Sequence, residues 1–197
     1  MDRLLSEISW SPQIGDPSVV GWLTVLAYLV AAVTATLVYT KYNPPALAQY
    51  PVRLVKLRRF WLFVAITCML LAINKQLDLQ SLFTQLLRYS AAEHGWYSQR
   101  RHFQLLFIYS MVALSLVGVI GLTAYYRTEM VFIATAIVGI GLLICFVLVR
   151  SASFHHVDFL INSTLLGAKV NWLIELTGIS LVIFNGTISL LASKRQV

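Results

Sequence analysis

Charge is scarce in this chain. Asp, Glu, Lys and Arg make up 12% of its 197 residues, roughly half the share found in soluble domains, which argues against a soluble globular protein. Cysteine is as sparse, at two residues, and excludes a disulfide scaffold. No internal repeat or low-complexity tract runs through the sequence, so neither a solenoid nor a tandem array is in view. What is abundant settles the class. Hydrophobic residues reach 58% and the mean hydropathy is +0.75, which excludes intrinsic disorder. The expectation is an all-α polytopic membrane protein, a single transmembrane bundle over residues 1–197.

A helix needs roughly 20 apolar residues to cross the hydrocarbon core. Long apolar runs open after Pro17, after His102, at Met130 and at Val170, the last interrupted by Glu175. A shorter run from Phe60 to Asn74 lies between Arg59 and Lys75. Five transmembrane helices are therefore predicted, at about 18–40, 59–76, 103–126, 130–150 and 170–193. The second is odd, because its charge-free part rises only about 22 Å against a core of roughly 30 Å. Either the helix continues, carrying Asn74, Lys75, Gln76 and Asp78 into the membrane, or it stops and the chain turns along the surface. Leu79, Leu82, Phe83, Leu86 and Leu87 keep helical spacing, so 77–91 reads as an amphipathic helix. Phe154, Val157, Ile161 and Leu165 do the same opposite His155, Asp158 and Asn162, predicting a second amphipathic helix over 151–166. Both would cap the non-cytoplasmic mouth of the bundle.

Five spans divide the charges unevenly. One side gathers Lys41, Arg53, Lys56, Arg58, Arg59, Arg127, Lys194 and Arg195, with Glu129 as its single acid. On the other, Arg3, Lys75, Arg88, Arg100, Arg101, Arg150 and Lys169 are balanced by acids. The dense cluster from Arg53 to Arg59 and the tight turn at Arg127 favour the first side as cytoplasmic. The expected placement is the plasma (inner) membrane, N-terminus out and C-terminus in. Residues 1–17, with Asp2, Glu7 and Asp16 against Arg3, do not resemble the positive start of a signal peptide. The basic pI of 9.7 then reflects contact with anionic lipid. Nucleic acid is not an expected partner, since no soluble basic domain presents those charges.

Two packing expectations accompany the spans. Tyr39, Tyr42, Tyr50, Trp61, Tyr125 and Tyr126 lie near helix ends and read as interfacial belts or as packing residues. Gly118, Gly121, Gly139 and Gly141 read as close-contact positions on the third and fourth spans.

Chemistry, where there is any, should sit on the non-cytoplasmic side. Lys75 and Asp78 are three apart and could pair on one helical face, and an ionisable pair at the membrane boundary is a functional hypothesis in itself. Topology adds Arg100, Arg101, Arg150 and Glu175, together with all four histidines of the chain. As a ligand-binding or ion-pair network, Lys75, Asp78, Arg100, Arg101, Arg150 and Glu175 would hold an anionic headgroup or a partner carboxylate. As a catalytic set, His155 or His156 would be a general base oriented by Asp158. His102, His155, His156 and Asp158 could ligate zinc, and histidines on separate helices could ligate haem. No HExxH or Cys-x-x-Cys spacing supports a metal, and no particular cofactor is indicated. Arg150, His156 and Asp158 slightly resemble the last arginine–histidine–aspartate segment of membrane lipid phosphatases and sphingomyelin synthases. The spacing is shorter here and the family's other segments are absent, so that activity is not carried over.

The leading expectation is an accessory, assembly or ligand-binding subunit, partnered by the lipid bilayer and by other membrane subunits or a second copy of itself. An intramembrane enzyme on a lipid-like substrate, with or without a metal, is the alternative. A proton-coupled transporter component comes third.

Overall fold

The computed structural model describes residues 18–44, 47, 49–78, 85, 100–151, 164–165 and 168–194. Helix α1 (Val19–Lys41) opens at Ser18, whose Oγ accepts the Gly21 N–H at 3.0 Å and so satisfies one of the orphan donors of the first turn. Helix α2 (Pro51–Leu77) begins on a proline, which is well suited to a first helical position. It ends at Asp78, whose φ of 46° lies in the left-handed region, one that Asp tolerates better than most residues. The short second span is thereby explained. The helix runs on past Lys75 and also begins early, so that Arg53, Lys56, Arg58 and Arg59 are helical. Its 27 residues reach about 40 Å.

Helices α3 (Arg100–Tyr125) and α4 (Met130–Ser151) are joined by a tight turn. A two-residue antiparallel hairpin follows, β1 (Thr164–Leu165) with β2 (Ala168–Lys169), setting Thr164 opposite Lys169 and Leu165 opposite Ala168. Helix α5 (Val170–Lys194) completes the chain. The hairpin corrects only the far end of the amphipathic helix expected over 151–166. At its far end the backbone groups of Thr164 and Leu165 pair across a ladder, with Gly167 in the sequence between the strands. Residues 152–163 lie outside the described residues, as does most of the helix expected over 77–91.

Helix α1 is the hub. It packs against α2 on one flank and α5 on the other, α5 packs against α4, and α3 touches the bundle mainly through α4. The contact face of α1 is Tyr28, Ala31, Ala32, Ala35 and Val38, a helical stripe dominated by alanine. Small residues let backbones approach closely where lipid removes any hydrophobic drive for helix association. Facing it, α2 presents Leu57, Phe60, Trp61, Val64, Ala65, Cys68 and Ala72. Away from these seams Val33, Ile66, Leu70 and Phe184 are exposed, an inside-out pattern suited to lipid. Hydroxyls on the helices turn inward on their own backbone: Thr24, Thr34, Thr36 and Thr187 each donate to the carbonyl four residues back at 2.8 Å.

Four helical segments are long and apolar enough to cross a membrane: Val19–Lys41, Pro51–Leu77, Met130–Val147 and Val170–Ser193. Within α3, Ala113–Tyr125 forms a shorter apolar stretch. The chain is thus a helical protein of multi-pass membrane type.

The two packing expectations resolve residue by residue. Trp61 is a packing residue: it is fully buried, edge-on to Phe60 at 5.6 Å, because it lies on the stripe of α2 that meets α1 and α5. Tyr42 and Tyr126 are buried too, while Tyr39, Tyr50 and Tyr125 are exposed. Among the four glycines, only Gly139 makes a close contact. A Cβ there would lie 2.7 Å from the Gly178 carbonyl oxygen on α5, whereas Gly118, Gly121 and Gly141 have nothing within 4 Å.

Candidate functional site

The bundle carries an ion-paired cluster towards each end. Where α2 ends and α5 begins, Lys75 Nζ donates to Glu175 Oε2 at 2.9 Å. The other carboxylate oxygen accepts from Tyr28 Oη at 3.1 Å. The side chains of Lys75 and Glu175 are only 7% and 3% exposed, and Tyr28 is fully buried. Three helices are therefore joined through one carboxylate. The sequence builds this locally: Cys68 and Ala72, on the same stripe of α2 as Lys75, keep the helix close to its neighbours, and Glu175 is flanked in sequence by Ile174 and Leu176.

Asn171, one helical turn before Glu175, adds a third element. Its Oδ1 is buried with no hydrogen-bond partner, an acceptor that would be costly to leave unmet. A lysine donor, a carboxylate, a tyrosine hydroxyl and a vacant amide acceptor thus gather at one end of the bundle. Such a set can bind a small polar group or hold a proton, and it can lock three helices together.

Towards the opposite end, Glu129 sits in the turn between α3 and α4 and is 1% exposed. It accepts from Lys56 Nζ at 2.8 Å, Thr128 Oγ1 at 2.7 Å and Arg53 Nε at 3.3 Å. Lys56 also donates to the Tyr125 carbonyl and lies 4.3 Å from the centre of the Tyr125 ring. Burial pushes the Glu129 carboxyl up, but Lys56, Thr128 and Arg53 together outweigh it and hold the group below its ordinary value of 4.5. Arg58 caps the neighbouring chain reversal, donating through Nε and Nη2 to the Tyr42 carbonyl at 3.1 and 3.0 Å. The end of α5 is tied in by the Asn43 N–H, which donates to Ser193 Oγ at 3.1 Å.

Of the residues singled out in the sequence, Lys75 and Glu175 are brought together. Asp78 stands half-buried at the left-handed cap of α2, just beyond the last helical residue. His155, His156 and Asp158 lie outside the described residues. Arg100, Arg101, His102 and Arg150 are placed on the helical backbone of α3 and α4, and their side chains lie outside the description. Among the described residues no three metal-ligating side chains converge.

Sequence reasoning missed Tyr28 and Glu129. Tyr28 lay in an unbroken apolar run, although a phenol nine residues into a span is a polar group in need of a partner. Glu129 carried the better signal, as the lone acid on a side with eight basic residues. Comparison with protein-family models, curated proteins and solved structures finds no match. Any functional reading therefore rests on these residues.

Proposed function

We propose that this protein is a five-span membrane subunit, N-terminus out and C-terminus cytoplasmic, with an accessory, assembly or ligand-binding role centred on Lys75, Glu175, Tyr28 and Asn171. The observation that carries the reading is the buried Lys75–Glu175–Tyr28 junction beside an unmet amide acceptor. Ionisable groups inside a membrane bundle are expensive and are normally kept for a purpose. The pair is charge-neutral and joins three helices, which suits recognition better than it suits turnover. Its end of the bundle is also the one to which topology assigns Arg100, Arg101 and Arg150.

The five-span count has a connectivity argument behind it. Lys75, near the end of α2, meets α5 near its start, while Lys56, near the beginning of α2, meets Glu129 just past α3. Between residues 78 and 129 the chain must pass from one end of the bundle to the other. Helix α3, with 26 residues and a length of about 39 Å, is long enough to make that crossing.

The test is native mass spectrometry of the full chain released in mild detergent, comparing wild type with the Lys75→Met/Glu175→Met double variant. Wild type should carry a reproducible ligand or partner that the double variant loses while keeping its thermal stability. Retention of that ligand by the variant, or a wild type that is bare and monomeric, would overturn the reading.

A further inference from the structure

At the opposite end, a groove of about 370 Å³ is lined by Pro51, Val52, Val55, Lys56, Arg59 and Tyr125. Five of these residues come from one face of the first turns of α2 and one from the end of α3. We propose that this groove binds the headgroup phosphate of an anionic phospholipid.

Charge is the first argument. Glu129 is already engaged by both Arg53 and Lys56. Arg59 is exposed and has no carboxylate partner among the described residues. The groove therefore presents net positive charge with a free guanidinium on its wall, and guanidinium is the side chain best shaped to grip a phosphate through two parallel hydrogen bonds.

Position is the second. Arg59 stands where the apolar run of α2 begins, at Phe60. A charge at that depth normally snorkels to the interface, which is the level of lipid phosphates. The third argument is the wall chemistry. Pro51, Val52 and Val55 offer nothing to a hydrated inorganic anion but can cover glycerol and the upper carbons of acyl chains. Beyond Arg59 the exposed side continues through Phe63 and Ile66, along which a chain can lie. Apolar walls, a basic rim and an apolar track fit a lipid better than a soluble anion or an acidic peptide.

This site is independent of the subunit reading, which concerns the other end of the bundle. The test is native mass spectrometry of the full chain in mild detergent, titrated with phosphatidylglycerol and with phosphatidylcholine of the same acyl chains. Wild type should prefer phosphatidylglycerol. Arg59→Gln should weaken that binding by about tenfold, the loss expected for one charge-assisted contact. Arg127→Gln removes an exposed cation in the adjoining turn that does not line the groove, and should leave binding unchanged. As Arg59 is exposed, circular dichroism should show both variants folded. Equal binding of the two lipids, an Arg59→Gln variant that binds normally, or an equal loss in Arg127→Gln would each overturn the proposal. Equal affinity for glycerol phosphate, which has no acyl chains, would do the same by making the groove a site for soluble anions.

Discussion

Removing Lys75 leaves the buried Glu175 carboxylate with Tyr28 as its remaining donor among the described residues. Breaking a buried ion pair costs about 3–5 kcal/mol, whereas replacing both partners with apolar residues is often neutral. Lys75→Met should therefore lower stability by roughly that amount, and adding Glu175→Met should recover most of it. Thermal unfolding in detergent reads both, and a Lys75→Met variant as stable as wild type would mean that the pair is solvated. Glu129 gives a pH-dependent counterpart. Its carboxyl is held below its ordinary value, so the folded state binds a proton less readily than the unfolded chain. Its stabilising contribution is complete above pH 4.5 and fades as the pH falls through the lowered value. The melting temperature should drop on acidification in that window, and Glu129→Gln should flatten part of the slope while costing stability at neutral pH. At this scale the sequence was half legible. Lys75 and Glu175 stood out as charges beside or within apolar runs, but that they meet each other depends on how α2 and α5 pack, which no spacing along one helix encodes.

Among the elements, α4 and α5 are held at a distance that only glycine allows. A Cβ on Gly139 would lie 2.7 Å from the Gly178 carbonyl oxygen, and one on Gly178 would lie 2.8 Å from Leu143 Cγ. Backbone does not yield as a flexible side chain does, so Gly139→Ala should force the two helices apart at a cost of about 1–3 kcal/mol. Gly118→Ala on α3, with open space around it, should be neutral in the isolated chain, or gain up to about 1 kcal/mol from helix propensity. Comparing the two variants by unfolding in detergent separates a packing role from a generic preference for glycine in membrane helices. The same contrast marks what periodicity can convey. Apolar runs located α1, α4 and α5 well, because lipid demands length and hydrophobicity whatever the neighbours. They placed the end of α2 well and its start badly: Arg58 and Arg59, which bound its apolar run, are helical residues satisfied by tertiary partners or by the interface. Glycine identity alone could not separate Gly139, at a helix crossing, from Gly141 two residues on, where nothing approaches.

At the scale of the whole molecule the ion pairs act as markers of sidedness. Lys75 with Glu175 and Arg53 and Lys56 with Glu129 lie towards opposite ends of α2, so the chain must cross the bundle between Asp78 and Glu129. If α3 makes that crossing, Val19 lies on one side of the membrane, and Gln49, Arg127 and Ala192 lie on the other. All four positions are exposed, and both native cysteines can be removed as Cys68→Ala and Cys145→Ala. Single replacements Val19→Cys, Gln49→Cys, Arg127→Cys and Ala192→Cys in that background can then be tested with a membrane-impermeant maleimide on intact cells. With the N-terminus out, Val19→Cys should label directly and the other three only after permeabilisation, as the cluster of Arg53, Lys56, Arg58 and Arg59 requires of a cytoplasmic face. The mirror-image pattern would keep five crossings and reverse the orientation, placing the phospholipid groove in the outer leaflet. Labelling of Arg127→Cys together with Val19→Cys would show that α3 does not cross. Glu129 could then no longer meet Arg53 and Lys56 in the membrane as it does here, and the exposed apolar side of α3, with Leu114, Val117 and Ile120, would need a cover other than lipid tails.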